Sequence, residues 1–200
     1  MIREIKLPEP VYKSNISLEE VLLKRRSIRN YKNENLTIKQ LAQILWAAQG
    51  ITSDYGYRTA PSAGAIYPIE IYILVNNVKG LEKGIYYYNP FKHLLQFLKK
   101  GDFSEQIKRA CLGQEWVKKA SVDVIITAEF ERTMNRYGER GIRYVYLEAG
   151  HIAQNIYLQM ISLNLGGVVI GAFIDNSVQH VLSTPKTHKP IYVIPIGVPE

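Results

Sequence analysis

The first periodic signal along the chain is Leu18, Val21 and Leu22, three apolar positions on one helical face. Ser17 precedes them and Glu20 sits three residues on, the spacing of a capping box, so a helix is predicted to open there. Thr37 and Gln40 repeat that spacing ahead of Leu41, Ile44, Leu45 and Ala48 and predict a second helix. Gly50 follows, where a left-handed C-terminal cap is expected. From 51 to 68 the periodicity stops, and two prolines and two glycines among small polar residues predict a loop.

Beyond Pro68 the pattern shifts to β-formers. IEIYILV (69–75) and GIYYYN (84–89) predict strands, and 93–98 can pair back after the Asn89-Pro90 turn. A short helix is predicted at 104–112, then a buried strand at 122–128. Ile142, Val145, Ala149, Ile152, Ile156 and Met160 next hold helical spacing and predict one helix from Tyr137 to Leu163. At 1.5 Å per residue such a helix runs roughly 40 Å, more than one small core covers, and points to a dimer interface. Gly166-Gly167 ends it, VVIGAF (168–173) reads as a strand, Asp175 can cap a short helix, and 191–199 is a final apolar strand. Helices do not alternate strictly with strands, and neither linker nor repeat divides the chain. The expected class is α+β, in one domain over residues 1–200.

Composition narrows the functions. Apolar residues make up 46% of the chain, enough to build a core and to exclude disorder as the dominant state. The longest uncharged apolar stretch, GGVVIGAFI, is less than half a membrane span, and MIREIKLPEP lacks the apolar run of a signal peptide. A cytoplasmic location away from membranes is expected. The net charge of +7 raises nucleic-acid binding, but the one dense run, Lys24, Arg25, Arg26, Arg29 and Lys32, is shorter than a polyanion-binding stripe usually is. No phosphate-binding P-loop and no G-x-G-x-x-G after a strand is present, which argues against Rossmann-type dinucleotide binding. A single cysteine, Cys111, cannot form an intrachain disulfide or a multi-cysteine metal site, and reads as a packing residue. His93, His151, His180 and His188 show no ligand spacing; His151 reads as a core or interface residue, and no metal is expected.

Three segments carry candidate chemistry. KRRSIRNY (24–31) presents guanidinium forks and a hydroxyl that suit a phosphate dianion, though a solvated basic helix end has the same composition. APSAGAIYP (60–68) is a loop of small residues whose backbone could lie close to a flat ligand, or an ordinary connection. In LGGVVIGAF (165–173), Gly171 and Ala172 could aim backbone N–H groups at a ligand atom, or simply belong to a glycine-rich strand.

In order, KRRSIRNY, APSAGAIYPIEIYIL, and RYVYLEAGHIAQNIYLQM leading into LGGVVIGAF resemble the nitroreductase family of flavoproteins. Within it, the branch of SagB-type dehydrogenases is the most similar, and the resemblance runs from about Ser17 to Pro199. It implies a homodimeric α+β sandwich with a mostly antiparallel central sheet flanked by helices. The dimer would be built on the long central helix, with FMN at the interface. It also implies FMN phosphate at Arg25, Arg26 and Ser27, with Arg29 toward the ribityl chain and the pyrimidine edge. A cation suits that edge because reduction places negative charge there. Pro61, Ser62, Ala63, Gly64 and Ala65 would lie along the flavin ring, and Gly171 and Ala172 would face flavin N5.

Two features depart from the family pattern. Many members end in an arm that adds a basic phosphate contact, whereas this sequence stops at Glu200 and leaves Lys186, His188 or Lys189 as substitutes. Azoline-oxidising members carry Lys-Tyr just ahead of the long helix, where this sequence has Arg136-Tyr137. Arginine stays protonated and is a poor general base, which argues against peptide azoline oxidation. The expected activity is ping-pong hydride transfer from NAD(P)H through FMN to a nitroaromatic, a quinone or a similar small-molecule acceptor. Tyr137 is the candidate proton donor, or else one interface tyrosine among fourteen. The alternatives are a flavin dehydrogenase of one metabolite or peptide, a flavin-binding module without turnover, and a nucleic-acid binder.

Overall fold

The computed structural model describes residues 3–200. In chain order its elements are β1 (Arg3–Lys6), α1 (Leu18–Lys24), β2 (Leu36–Thr37), α2 (Ile38–Gln49), β3 (Ile69–Val75), β4 (Val78–Lys79), β5 (Gly84–Asn89) and β6 (Leu94–Lys100). There follow α3 (Ser104–Ala110), α4 (Glu115–Lys119), β7 (Val122–Glu129), α5 (Phe130–Tyr137), α6 (Arg140–Ser162), β8 (Gly166–Gly167), α7 (Asp175–Leu182) and β9 (His188–Gly197). Seven strands form one sheet in the order β1-β6-β5-β3-β7-β9-β8, and every neighbouring pair is antiparallel. β2 and β4 make a separate parallel pair.

Alternation along the strands divides the core into two layers, as a sheet covered on both faces requires. From β7, Val122, Val124, Ile126 and Ala128 pack with the inner faces of α2 and α6. Ile125 points the other way, into a cluster holding Ile107, Ala110 and Cys111 from the α3 region, Val117 from α4, and Val178 and Leu182 from α7. The α+β class with an antiparallel central sheet is therefore observed.

Several local expectations change. At α1 only half of the capping box forms: the Ser17 hydroxyl accepts from the Glu20 N–H at 3.2 Å, while the Glu20 carboxylate pairs with Lys24 at 2.6 Å. Its apolar face is only partly covered, with Val21 buried but Leu18 and Leu22 exposed. The Thr37–Gln40 box is complete. Gly50 is extended (φ −60°, ψ 144°), not left-handed. Glycine is needed there because a Cβ would run into the Trp46 ring and carbonyl.

The long helix forms as α6, starting three residues later than expected, and a separate helix that the sequence pattern does not announce, α5, precedes it. Gly138, at φ 58° and ψ −147°, divides the two, so Tyr137 ends α5 and α6 begins at Arg140. Val145, Ala149, Ile152, Ile156 and Met160 are buried as expected, but Ile142 is 37% exposed. Gly141 takes the inward position instead, so close to α5 that a Cβ would stand 2.9 Å from the Met134 nitrogen. The strand expected at 168–173 is reduced to one bridge, Ile170 to Val193, and the paired strand β8 falls instead on Gly166–Gly167, expected only to end the helix. Between them the Val169 N–H leaves the ladder and donates to the Tyr157 hydroxyl at 2.9 Å. Asp175 is the first residue of α7; Ile174 holds the cap position, without a side-chain bond.

Candidate functional site

The segment after α1 lies along the strand edge that carries the glycine pairs. The Ile28 N–H donates to the Gly167 carbonyl at 2.9 Å, and the Ile28 side chain fills the space a Cβ on Gly166 would need. Tyr157, from α6, closes the junction. Its hydroxyl is 3.1 Å from the Ser27 hydroxyl and accepts from Val169, and the Arg25 guanidinium lies 5.1 Å from its ring centroid. Arg29 sits over Trp116 of α4 at 5.5 Å, and Gln114, which caps α4, donates to the Ala172 carbonyl at 3.2 Å. Arg26 turns back to donate to the carbonyls of Leu23 and Arg25, closing the C-terminal end of α1. Arg25, Arg26 and Arg29 have no carboxylate partner among the described residues. Gly171 and Ala172 are exposed, and their N–H groups have no acceptor among the described residues; a Cβ on Gly171 would meet only Tyr192, at 3.7 Å.

The 60–68 segment sits elsewhere. It lies against Glu148, nine residues before Tyr157 on α6 and so about 13 Å away along the axis. Gly64 (φ 63°), Ala65 (φ 53°) and Tyr67 (φ 52°) are all in the left-handed region, two of them at residues that disfavour it. Surrounding bonds hold that geometry. The Ser62 hydroxyl accepts from the Tyr67 N–H at 2.9 Å, the Tyr67 hydroxyl accepts from the Arg58 N–H at 3.1 Å, and Asn155 donates to the carbonyls of Ala47 and Thr59. Beneath the loop, the Arg58 guanidinium donates to Gln49 and stacks 4.4 Å from the Tyr67 ring centroid. Glu148 is 3% exposed, one carboxyl oxygen has no partner, and burial raises its carboxyl to about 7, against the opposing pull of Ser62, Arg58 and Gln49. No hydrogen bond joins this segment to the Arg25–Arg29 run among the described residues. The structure thus brings the first and third sequence segments together and leaves the second apart.

The α5–α6 corner faces this second segment. Arg136 donates to the Gly64 carbonyl at 3.3 Å, and the Tyr137 hydroxyl is so close that a Cβ on Gly64 would be 2.6 Å from it. Tyr137 meets Tyr144 edge-on at 5.1 Å. Lys186, His188 and Lys189 lie far from the Arg25 run. His188 pairs with Glu129 at one end of β9, eight residues or roughly 26 Å from Ile196, the partner of Gly167. Within one chain they cannot complete that cluster, and His188 bonds the Tyr72 hydroxyl at 2.8 Å instead.

His151 is exposed on α6, not in the core. Cys111 is fully buried, and burial pushes its thiol up to about 12. Among the described residues, no group of acidic, histidine or cysteine side chains is arranged to hold a metal ion, and no helix is long and apolar enough to cross a membrane. Sequence reading missed Tyr157, Asn155, Glu148 and Arg58. Of these, only Glu148 carried a visible signal, as a charge at a position in phase with Val145, Ala149 and Ile152.

The sheet order, the paired helices on one face and the basic run seated on a glycine-rich edge define an α+β scaffold with a candidate anion site at the sheet edge. The chain belongs to the nitroreductase family, whose model matches residues 22–198. It is 43% identical over 194 residues to MJ1384 of Methanocaldococcus jannaschii, a protein named as a nitroreductase, covering 97% of this chain and 96% of that one. A crystal structure from Anabaena variabilis, also assigned to the nitroreductases, superposes with a TM-score of 0.88 at 34% identity, covering all of this chain and 42% of the longer one. The trifolitoxin-processing protein TfxB of Rhizobium leguminosarum is 34% identical over 109 residues, 52% of this chain and 29% of that protein. The relatives thus include members of the SagB-type branch to which the motifs pointed.

Proposed function

We propose that this protein is an FMN-dependent oxidoreductase that passes hydride from NAD(P)H to a small acceptor in alternating half-reactions. The observation that carries this reading is the junction of Arg25, Ser27 and the 167–172 edge on Tyr157. The Arg25 guanidinium, free of carboxylates, and the Ser27 hydroxyl at the surface form a donor set suited to a phosphate dianion. Bound FMN would supply the hydride chemistry at N5. The chain's own part is to hold the phosphate on Arg25 and Ser27, set the Arg29 cation toward the pyrimidine edge, and offer the open backbone of Gly171 and Ala172 to N5. Metal chemistry is not part of the proposal, nor is binding to nucleic acid.

The 60–65 loop joins this site across a homodimer in our reading, as FMN at a subunit interface requires. Support comes from α6, where Tyr146, Leu147 and Leu158 lie on the outward side, Leu147 at 54% exposure. A groove of about 890 Å³ between residues 11–18, α2 and α6, bordered by the half-covered face of α1, adds apolar surface to the same side.

The test is direct. Purified protein is expected to be yellow, to release FMN and not FAD, and to bleach when NADH or NADPH is added without oxygen. Colourless protein that takes up no added FMN overturns the reading. Flavin that binds but resists NAD(P)H supports the second reading, a dehydrogenase of one metabolite or peptide. Relatedness to TfxB favours that reading, and Arg136 in place of a base disfavours its azoline form.

A further inference from the structure

The corner between α5 and α6 carries arginines that no carboxylate pairs directly, although Glu131 and Glu139 nearby offset part of their charge. Arg132 is fully engaged, 2.6 Å from Glu70 and 2.5 Å from Glu129. Arg136, Arg140 and Arg143 follow at intervals of four and three residues, and none has a carboxylate partner among the described residues. Arg136 is nonetheless held in place. One amino group donates to the Gly64 carbonyl at 3.3 Å, and the guanidinium lies 5.4 Å from the Tyr137 ring centroid. Ordering so flexible a side chain costs entropy, and nothing acidic repays it here. The same loop is supported from below by Glu148, which is buried on the inner side and makes no ion pair with Arg136 among the described residues.

A guanidinium presents five donors, and one bond to a carbonyl leaves most of its fork open toward solvent. An anionic group of matching geometry, a carboxylate or a sulfonate, is the natural complement. Arg140 and Arg143 add to the local field and draw such a group to the same corner.

We propose that Arg136 is a specificity residue that selects electron acceptors carrying a carboxylate or sulfonate beside the reducible ring. This rests on the FMN reading, because it takes the loop under Arg136 as the one lying along the flavin. The competing role is purely structural, with Arg136 acting only as a staple on the Gly64 peptide.

The experiment isolates the second half-reaction, so that NAD(P)H, itself an anion, is absent. Holoprotein is photoreduced without oxygen, with an uncharged or cationic tertiary amine as the sacrificial electron donor, and mixed with menadione or with a naphthoquinone sulfonate. Each quinone takes two electrons and two protons and becomes a hydroquinone, and the flavin returns to its oxidised colour. The quantity read is the ratio of the two second-order rate constants, which cancels general damage to the enzyme. Arg136→Gln is expected to lower the sulfonate-to-menadione ratio about tenfold, the scale of one lost charge-assisted hydrogen bond. Arg136→Lys, which keeps the charge, should restore most of it, and added salt should lower the ratio in the parent protein. An unchanged ratio in Arg136→Gln overturns the proposal, as does an equal fall in Arg136→Lys, the signature of a staple. Protein that cannot be photoreduced, or that reduces neither quinone, fails earlier and removes the FMN reading itself.

Discussion

Arg25 and Arg26 are neighbours with different engagements. Arg25 lies half-buried on Tyr157, whereas Arg26 folds back onto the last carbonyls of α1. Arg25→Ala should therefore raise the FMN dissociation constant roughly ten- to hundredfold, as loss of a charge-assisted bond does. Arg26→Ala should raise it less, and dialysis followed by fluorescence of released flavin separates the two; equal loss refutes the assignment. Glu148 carries a pH signature. Its carboxyl is held near 7 in the folded chain against an ordinary value of 4.5, so the folded state keeps a proton that the unfolded chain releases. Stability from this group is present at low pH and is lost as pH rises through the interval from 4.5 to about 7. Glu148→Gln should flatten that decline and stabilise the protein above neutrality, by on the order of 3 kcal/mol at most. Melting curves on both sides of the interval check it, and parallel slopes in parent and variant refute it. The basic motif was legible because guanidinium and hydroxyl groups state their own chemistry. Tyr157 was not, since its importance comes from Ser27, 130 residues away in sequence, and from one displaced N–H on the sheet edge.

At the scale of elements, local signals read well and long-range ones did not. α2 announces itself through a capping box whose partners are three residues apart, and it forms as read. α2 ends where its sequence places the end, for a different reason: Gly50 is there for the Trp46 ring, not for a left-handed turn. Gly50→Ala should accordingly destabilise the fold by about 1–3 kcal/mol, the range for overpacking a filled site. Urea unfolding measures it, and a neutral effect would show that Trp46 has room to move. α5 was hidden because its eight residues are mostly polar and the one they bury is Thr133, which leaves no apolar periodicity to read. β1 was hidden for a similar reason: a four-residue edge strand, Arg3–Lys6, has a charged alternation typical of protected edges and only Ile5 to contribute to the core.

For the whole molecule, the open question of partners rests on surface that one chain leaves uncovered. Leu147 lies outward on α6, and Leu18 and Leu22 lie outward on α1. Leu147→Glu should shift the mass from two chains to one by light scattering and release flavin at the same time, because the 60–65 loop would leave with the partner. A parent protein that is already a single chain with flavin bound overturns that arrangement. Class, strand composition and the order of the three segments were all legible in the sequence. Their separation along α6 was not, since spacing along a chain does not fix distance in a fold. The sealed thiol of Cys111 has a practical consequence for all of these measurements. To alkylating reagents in water, the folded protein is effectively cysteine-free. One cysteine introduced at the exposed His180 position of α7, on the sheet face away from α6, would then take a spin label cleanly, and dipolar spectroscopy could measure the gap between two copies on a background of silence.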